Sequence, residues 1–112
     1  MNDCIFCQIV QGRLPAKIRY EDNNFLALDD TNPRAPTHIL LIPKKHFESV
    51  ASLSEGDKIL AGEMILRANK IAAEAGLDRN FRLTTNTGPD AGQAVLHLHF
   101  HILGGRPLGP VA

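Results

Sequence analysis

A chain of 112 residues is long enough for one domain with a buried core, and 44% apolar with 21% charged residues suits a globular protein. Its 12 Lys plus Arg balance 12 Asp plus Glu, which argues against a broad electrostatic footprint for DNA or RNA. No apolar run reaches the roughly 20 residues that span a bilayer, and the first residues lack the basic and apolar stretches of a secretory signal, so a cytoplasmic protein without membrane or nucleic-acid partners is expected.

In chain order, residues 5–10 are apolar and short, which fits one or two helical turns or an irregular start. Residues 16–21 and 25–30 read as strands around the turn Glu21-Asp22-Asn23-Asn24. Pro33 and Pro36 make residues 31–36 a loop, since proline breaks ladders and helices alike. Residues 37–42 form a β-branched strand stopped by Pro43. The spacing of Leu60, Met64, Ala68, Ile71 and Ala75 predicts a helix over 53–75. Ser54 and Asp57 frame its start as a capping box, and Gly76 ends it. Residues 81–85 form a fourth strand, 86–94 a polar loop and 95–103 a fifth strand. Short turns between neighbouring strands favour antiparallel pairing. The expected class is α+β, one domain over residues 1–112, with a five-stranded antiparallel sheet, one long helix and a short N-terminal helix.

The informative segment is His97-Leu98-His99-Phe100-His101-Ile102-Leu103. In a strand, alternate side chains share a face, so three imidazoles stand together opposite three apolar residues, roughly 6–7 Å apart at their Cα atoms. Imidazole titrates near neutral pH and can attack phosphorus, and a neighbouring ring can orient it or move a proton. Two other readings stand beside this one: a His-rich, half-exposed strand, or a metal site of three imidazoles. Cys4-x-x-Cys7 is too close-spaced to staple a fold; in a reducing compartment such a pair more often binds metal or does redox chemistry. No thioredoxin-like context surrounds it; two small buried residues are the other reading, and for a metal His46 and His97 are the candidate co-ligands. The loop Asn86–Ala94 lacks the Gly-Lys-Ser/Thr ending of a P-loop. Gly92 nonetheless permits close backbone approach, and the N–H groups of Gln93, Ala94 and Val95 can form a small anion nest; a plain turn between strands is the other reading.

The triad segment resembles the His-φ-His-φ-His-φ-φ signature (φ apolar) of the histidine-triad (HIT) superfamily. Ile5-Phe6, Pro15-Ala16-Lys17-Ile18, Ala35-Pro36-Thr37-His38, Ile42-Pro43-Lys44-Lys45-His46, Gly92-Gln93 and Gly104-Gly105-Arg106 resemble its nucleotide-binding Hint branch. The resemblance implies the HIT fold and a two-fold homodimer with the long helices and central strands at its interface. It implies hydrolysis of an adenosine or guanosine 5′-phosphoramidate, with His99 as nucleophile, His101 on the phosphate and His38 in support. It places Asn86, Gly92, Gln93, Ala94 and Val95 around the phosphate, Asp30 on the ribose, and Ile5, Phe6, Ile9 and Leu28 around the base. Dinucleoside polyphosphate hydrolysis, or a nucleotide-binding module with little turnover, are its other implications. Ala94 departs from the serine of many Hint proteins, which puts catalytic efficiency in doubt. Cys4, Cys7, His46 and His97 resemble the structural zinc ligands of a bacterial and archaeal subset.

Overall fold

In the computed structural model, residues 3–112 are described. The element order is α1 (Ile5–Val10), β1 (Ile18–Glu21), β2 (Phe25–Asp29), β3 (Thr37–Pro43), α2 (Lys58–Glu74), β4 (Phe81–Thr84) and β5 (Phe100–Gly104). The five strands form one antiparallel sheet in the order β1-β2-β3-β5-β4, as the sequence leads one to expect.

Alternation along the central strands explains the two layers. Phe25 and Ala27 of β2, Ile39 and Leu41 of β3 and Ile102 of β5 join Met64, Ala68, Ile71 and Ala72 of α2 in one core. Leu26, Leu28, Leu40 and Ile42 point the other way and bury Phe6 of α1, with Ile9 and Val10 beside it. The central strands are thus apolar on both faces, and α1 with its flanks covers the face that α2 leaves open. His38 shares this second face, because it alternates in phase with Leu40 and Ile42.

Most elements shift by one or two residues at an end, β1 beginning at Ile18 rather than residue 16, and three boundaries differ for a reason the structure shows. The long helix begins at Lys58 rather than residue 53, after two 3₁₀ turns at Val50–Ser52 and Glu55–Asp57. Asp57 accepts from the Ser54 N–H at 2.9 Å and the Ser54 hydroxyl at 3.1 Å, so the expected box is spent on the second turn. Pro43 does not stop β3; it is the last paired residue, opposite Phe25. The fifth strand begins at Phe100, not residue 95. The preceding segment bends because the Leu98 N–H is taken by the Phe47 carbonyl at 2.7 Å, and Leu98 itself is buried in the α2 core.

Candidate active site and metal-binding cluster

The three imidazoles do share one side of their segment, although only His101 stands in β5. His97 and His99 are buried, and Phe6 meets each edge-on, at 5.8 and 5.2 Å between ring centroids. The rings of His99 and His101 lie 4.9 Å apart. His38 and His101 are diagonal neighbours across the β3–β5 ladder, where His38 opposes Leu103 and Leu40 opposes His101.

Backbone partners fix where each proton sits. His99 Nδ1 lies 2.7 Å from the His97 carbonyl, which only accepts. The proton is therefore on Nδ1, and the lone pair of Nε2 is left for attack. The Thr85 hydroxyl donates to the His99 carbonyl at 2.8 Å and pins the backbone there. His38 is set in the opposite sense. Its Nδ1 accepts from the Arg34 N–H at 3.1 Å, so its proton is on Nε2 and is donated to His101 Nδ1 at 2.9 Å. Neutral His101 then carries its own proton on Nε2. Burial lowers the pKa of His38, opposed by the Asp30 carboxylate 3.4 Å away. Burial, with repulsion from His99 and His38, pushes His101 down to about 4. Both rings are neutral near pH 7.

Asp30, His38 and His101 bring ligand-type atoms together closely enough for a metal ion. The Arg34 N–H argues against that use: it keeps the lone pair of His38 on Nδ1, away from the cluster, and leaves a proton on the converging Nε2.

A cavity of about 510 Å³ opens beside this cluster and meets it at His38 and Asp30. Ile9 and Leu28, two of the residues expected around a base, line it together with Pro15, Ala16 and Lys17, which the sequence reading did not assign. Lys17 and Arg19 at its rim both reach Asp29, at 3.6 and 2.9 Å. Two of the expected base-wall residues sit elsewhere. Phe6 is packed beneath the histidines, and Ile5 is exposed and lines a second cavity with Cys4, His46 and Val95. Asp30 spends one oxygen on the Asn32 N–H at 2.8 Å and turns the other toward His38.

In the 86–94 loop, Gly92 has φ +100°, a conformation that favours glycine, and Asn86 lies beside it, its amide nitrogen 3.7 Å from where a Cβ on Gly92 would stand. Gln93 has a different part from the one expected. Its side chain donates to the carbonyls of Glu48 at 2.7 Å and Val95 at 3.0 Å and accepts from the Gly88 N–H at 2.9 Å. Its own N–H goes to the Gly88 carbonyl at 3.0 Å. Gln93 therefore braces the loop, and the expected nest narrows to the N–H groups of Ala94 and Val95.

Cys4, Cys7, His46 and His97 converge. Cys4 is the N-cap of α1 and Cys7 its third residue, so the C-x-x-C spacing places both sulfurs at the helix start; the Cys7 N–H donates to Cys4 Sγ at 3.4 Å. His97 donates from Nε2 to the Pro43 carbonyl at 2.9 Å, which leaves its Nδ1 lone pair facing the sulfurs. That atom is 3.2 Å from Cys4 Sγ, 3.5 Å from Cys7 Sγ and 3.1 Å from His46 Nδ1, and Cys7 Sγ is 3.3 Å from His46 Nδ1. A tetrahedral zinc with ordinary bond lengths has edges of about 3.3–3.6 Å between such donors. The four separations, 3.1–3.5 Å, lie at or just below that range, and two thiols with two imidazoles suit zinc. With all four positions supplied by protein, such an ion would hold structure rather than bind substrate.

The HIT domain family matches residues 11–108 of this chain. An uncharacterized HIT-like protein of Synechocystis is 48% identical over 106 residues, covering 95% of this chain and 93% of that one. A HIT family hydrolase from Clostridium thermocellum superposes with a TM-score of 0.93 at 42% identity, covering 98% of this chain and 96% of its own. A histidine triad protein from Clostridium difficile gives 0.94 at 43% identity, covering 100% and 98%. On the triad segment, the sheet and these likenesses together, the chain belongs to the HIT domain family.

Proposed function

We propose that the protein is a nucleotide hydrolase of the Hint branch that cleaves an adenosine or guanosine 5′-phosphoramidate at the α-phosphorus through a nucleotidyl intermediate on His99. The observation that carries this reading is the Nδ1 hydrogen bond of His99 to the His97 carbonyl, which frees Nε2 as a nucleophile. Nε2 attacks phosphorus, the P–N bond breaks, and the amine leaves with the bonding electrons and takes up a proton from solvent, which the attacking water later returns. Water then displaces His99, giving the nucleoside monophosphate and restoring the neutral ring. The charge that develops on the imidazole is met by the His97 carbonyl already accepting from Nδ1–H. His101 Nε2–H and the N–H groups of Ala94 and Val95 are assigned to the phosphate oxygens. Asn86, whose amide nitrogen lies near Gly92, is assigned to the leaving group. The cavity at Ile9, Leu28 and Asp30 takes the purine and ribose.

The metal in this reading is structural zinc on Cys4, Cys7, His46 and His97, and it supplies no chemistry. The protein acts as a homodimer, for which Ile59 and Leu66 on α2, 73% and 62% exposed, offer an apolar face. Ala94 supports a second reading, a nucleotide-binding module with slow turnover, because no hydroxyl stands there to help the leaving group. Turnover of an adenosine phosphoramidate by wild type and His99→Ala decides the matter. The variant is expected to lose at least about 10³-fold in kcat, as removal of a nucleophile does. Equal rates end the proposal. Faster cleavage of a diadenosine polyphosphate would move the substrate class but keep the nucleophile.

A further inference from the structure

The Gly104-Gly105-Arg106 segment closes β5, and the reaction outlined above makes no use of it. Its surroundings show what it does. Gly104 pairs with Thr37, so the chain leaves the sheet directly over the loop that precedes β3. Gly105 has φ +99°, and a Cβ there would stand 2.9 Å from Pro36 Cβ. Only glycine lets the backbone turn this closely against the loop. That turn delivers Arg106, whose guanidinium donates to the Arg34 carbonyl at 2.8 Å and to the Pro107 carbonyl at 2.8 Å.

The loop it grips has little else to hold it. Pro33 and Pro36 have no N–H to give. Among the described residues, the other polar ties of 31–36 are the Asn32 N–H to Asp30, 2.8 Å, and the Arg34 N–H to His38 Nδ1, 3.1 Å. Arg34 is thus held on its carbonyl side by Arg106, while its N–H side sets the proton of His38. Two steps on, His38 Nε2–H sets the proton of His101 at 2.9 Å.

We propose that Arg106, seated by Gly105, is a positioning residue that locks the tautomers of His38 and His101 through residue 34. The chain of donors runs in one direction: guanidinium to Arg34 carbonyl, Arg34 N–H to His38, His38 N–H to His101. It ends with the His101 proton on Nε2, where a phosphate oxygen can accept it. If the loop shifts, His38 can take its proton on Nδ1. His101 then loses its donor and ceases to be held in one form.

The role of this strap in turnover rests on the hydrolase reading; its effect on tautomers does not. The experiment therefore has two arms on wild type, Arg106→Ala, Arg106→Lys and Gly105→Ala. Long-range ¹H–¹⁵N spectra near neutral pH report which ring nitrogen carries the proton. Wild type is expected to show His38 and His101 each protonated on Nε2 alone. Arg106→Ala and Gly105→Ala are expected to give averaged signals for His38, and Arg106→Lys to restore the wild-type pattern in part. On an adenosine phosphoramidate, Arg106→Ala is expected to lower kcat about three- to tenfold with KM changed less than about twofold, the size of one solvent-screened, charge-assisted hydrogen bond. A merely structural role would lower thermal stability and leave the tautomers of the folded protein unchanged. Wild-type tautomers in both Arg106→Ala and Gly105→Ala would overturn the proposal. If wild type turns over no phosphoramidate, the hydrolase reading falls and the spectra alone decide the strap.

Discussion

At the scale of single residues, the chemistry is written in protonation states that backbone groups impose. His38 and His101 are neutral because burial penalises their charged forms, and His101 is pushed down to about 4. In an unfolded chain both titrate near 6.5. As pH falls from about 6.5 toward 4, the unfolded state takes up protons that the folded state refuses, so stability declines with acidification through that window. Above it the pair contributes no slope. Thermal melts between about pH 7.5 and 4.5 should show the decline in wild type and a shallower one in His101→Gln; parallel profiles would contradict the lowered pKa. The histidines and cysteines were legible in the sequence because their type and spacing state their chemistry. The part of Gln93 was not, since nothing in Gly92-Gln93-Ala94 says that the amide will find the Glu48 and Val95 carbonyls. The same holds for Arg34 and Thr85, which act through a backbone N–H and a hydroxyl aimed at a carbonyl. Ile5 and Ile9, both apolar on one short helix, part company because adjacent turns of α1 face different cavities.

At the scale of elements, apolar runs, turn residues and the spacing of the long helix predicted the five strands and α2, while α1 was one of two readings of a short apolar run, and the differences fall at the ends. Residues 95–99 alternate like a strand, yet the Leu98 N–H bonds to Phe47 and the His97 ring to Pro43, so long-range partners draw the segment out of the ladder. Local propensity carries no signal for that. Residues 53–57 satisfy a helix start, but the Asp57 carboxylate closes a tight turn before α2 begins. The other end of β5 is defined by contact. A Cβ on Gly104 would stand 2.8 Å from Leu77 Cδ2 and 3.0 Å from the Asn80 carbonyl, where the turn after α2 crosses the strand. Leu77 is buried and the carbonyl belongs to the backbone, so neither yields freely. Gly104→Ala is therefore expected to lose about 1–3 kcal/mol, the usual cost of overpacking a core. Urea denaturation measures it, and a variant as stable as wild type would show that the turn can move aside.

At the scale of the whole molecule, the candidate metal-binding cluster ties the start of α1 to two segments that the sheet already brings side by side, the one after β3 and the one before β5. Cys4 and Cys7 bring α1, His46 comes from just beyond Pro43, and His97 sits two residues from the proposed nucleophile. The helix is only six residues long, too short to persist on its own. It is held by Phe6, Ile9 and Val10 against the sheet and, in the proposed metal-bound protein, by two of four ligand bonds. Its Phe6 also forms the floor on which the His97 and His99 rings rest. Removing zinc should therefore loosen α1 first and the seat of His99 with it. A strong chelator is expected to lower the melting temperature of wild type by on the order of 5–10 °C, the shift that 1–2 kcal/mol produces in a chain of this size, and to speed amide exchange in residues 5–10. Cys4→Ser should melt near the chelated wild type and respond little to chelator. If the purified protein carries no near-stoichiometric zinc and the chelator changes neither melting nor exchange, then four converging ligands are held together by packing alone, and the brace on α1 must be assigned to Phe6 and its apolar neighbours.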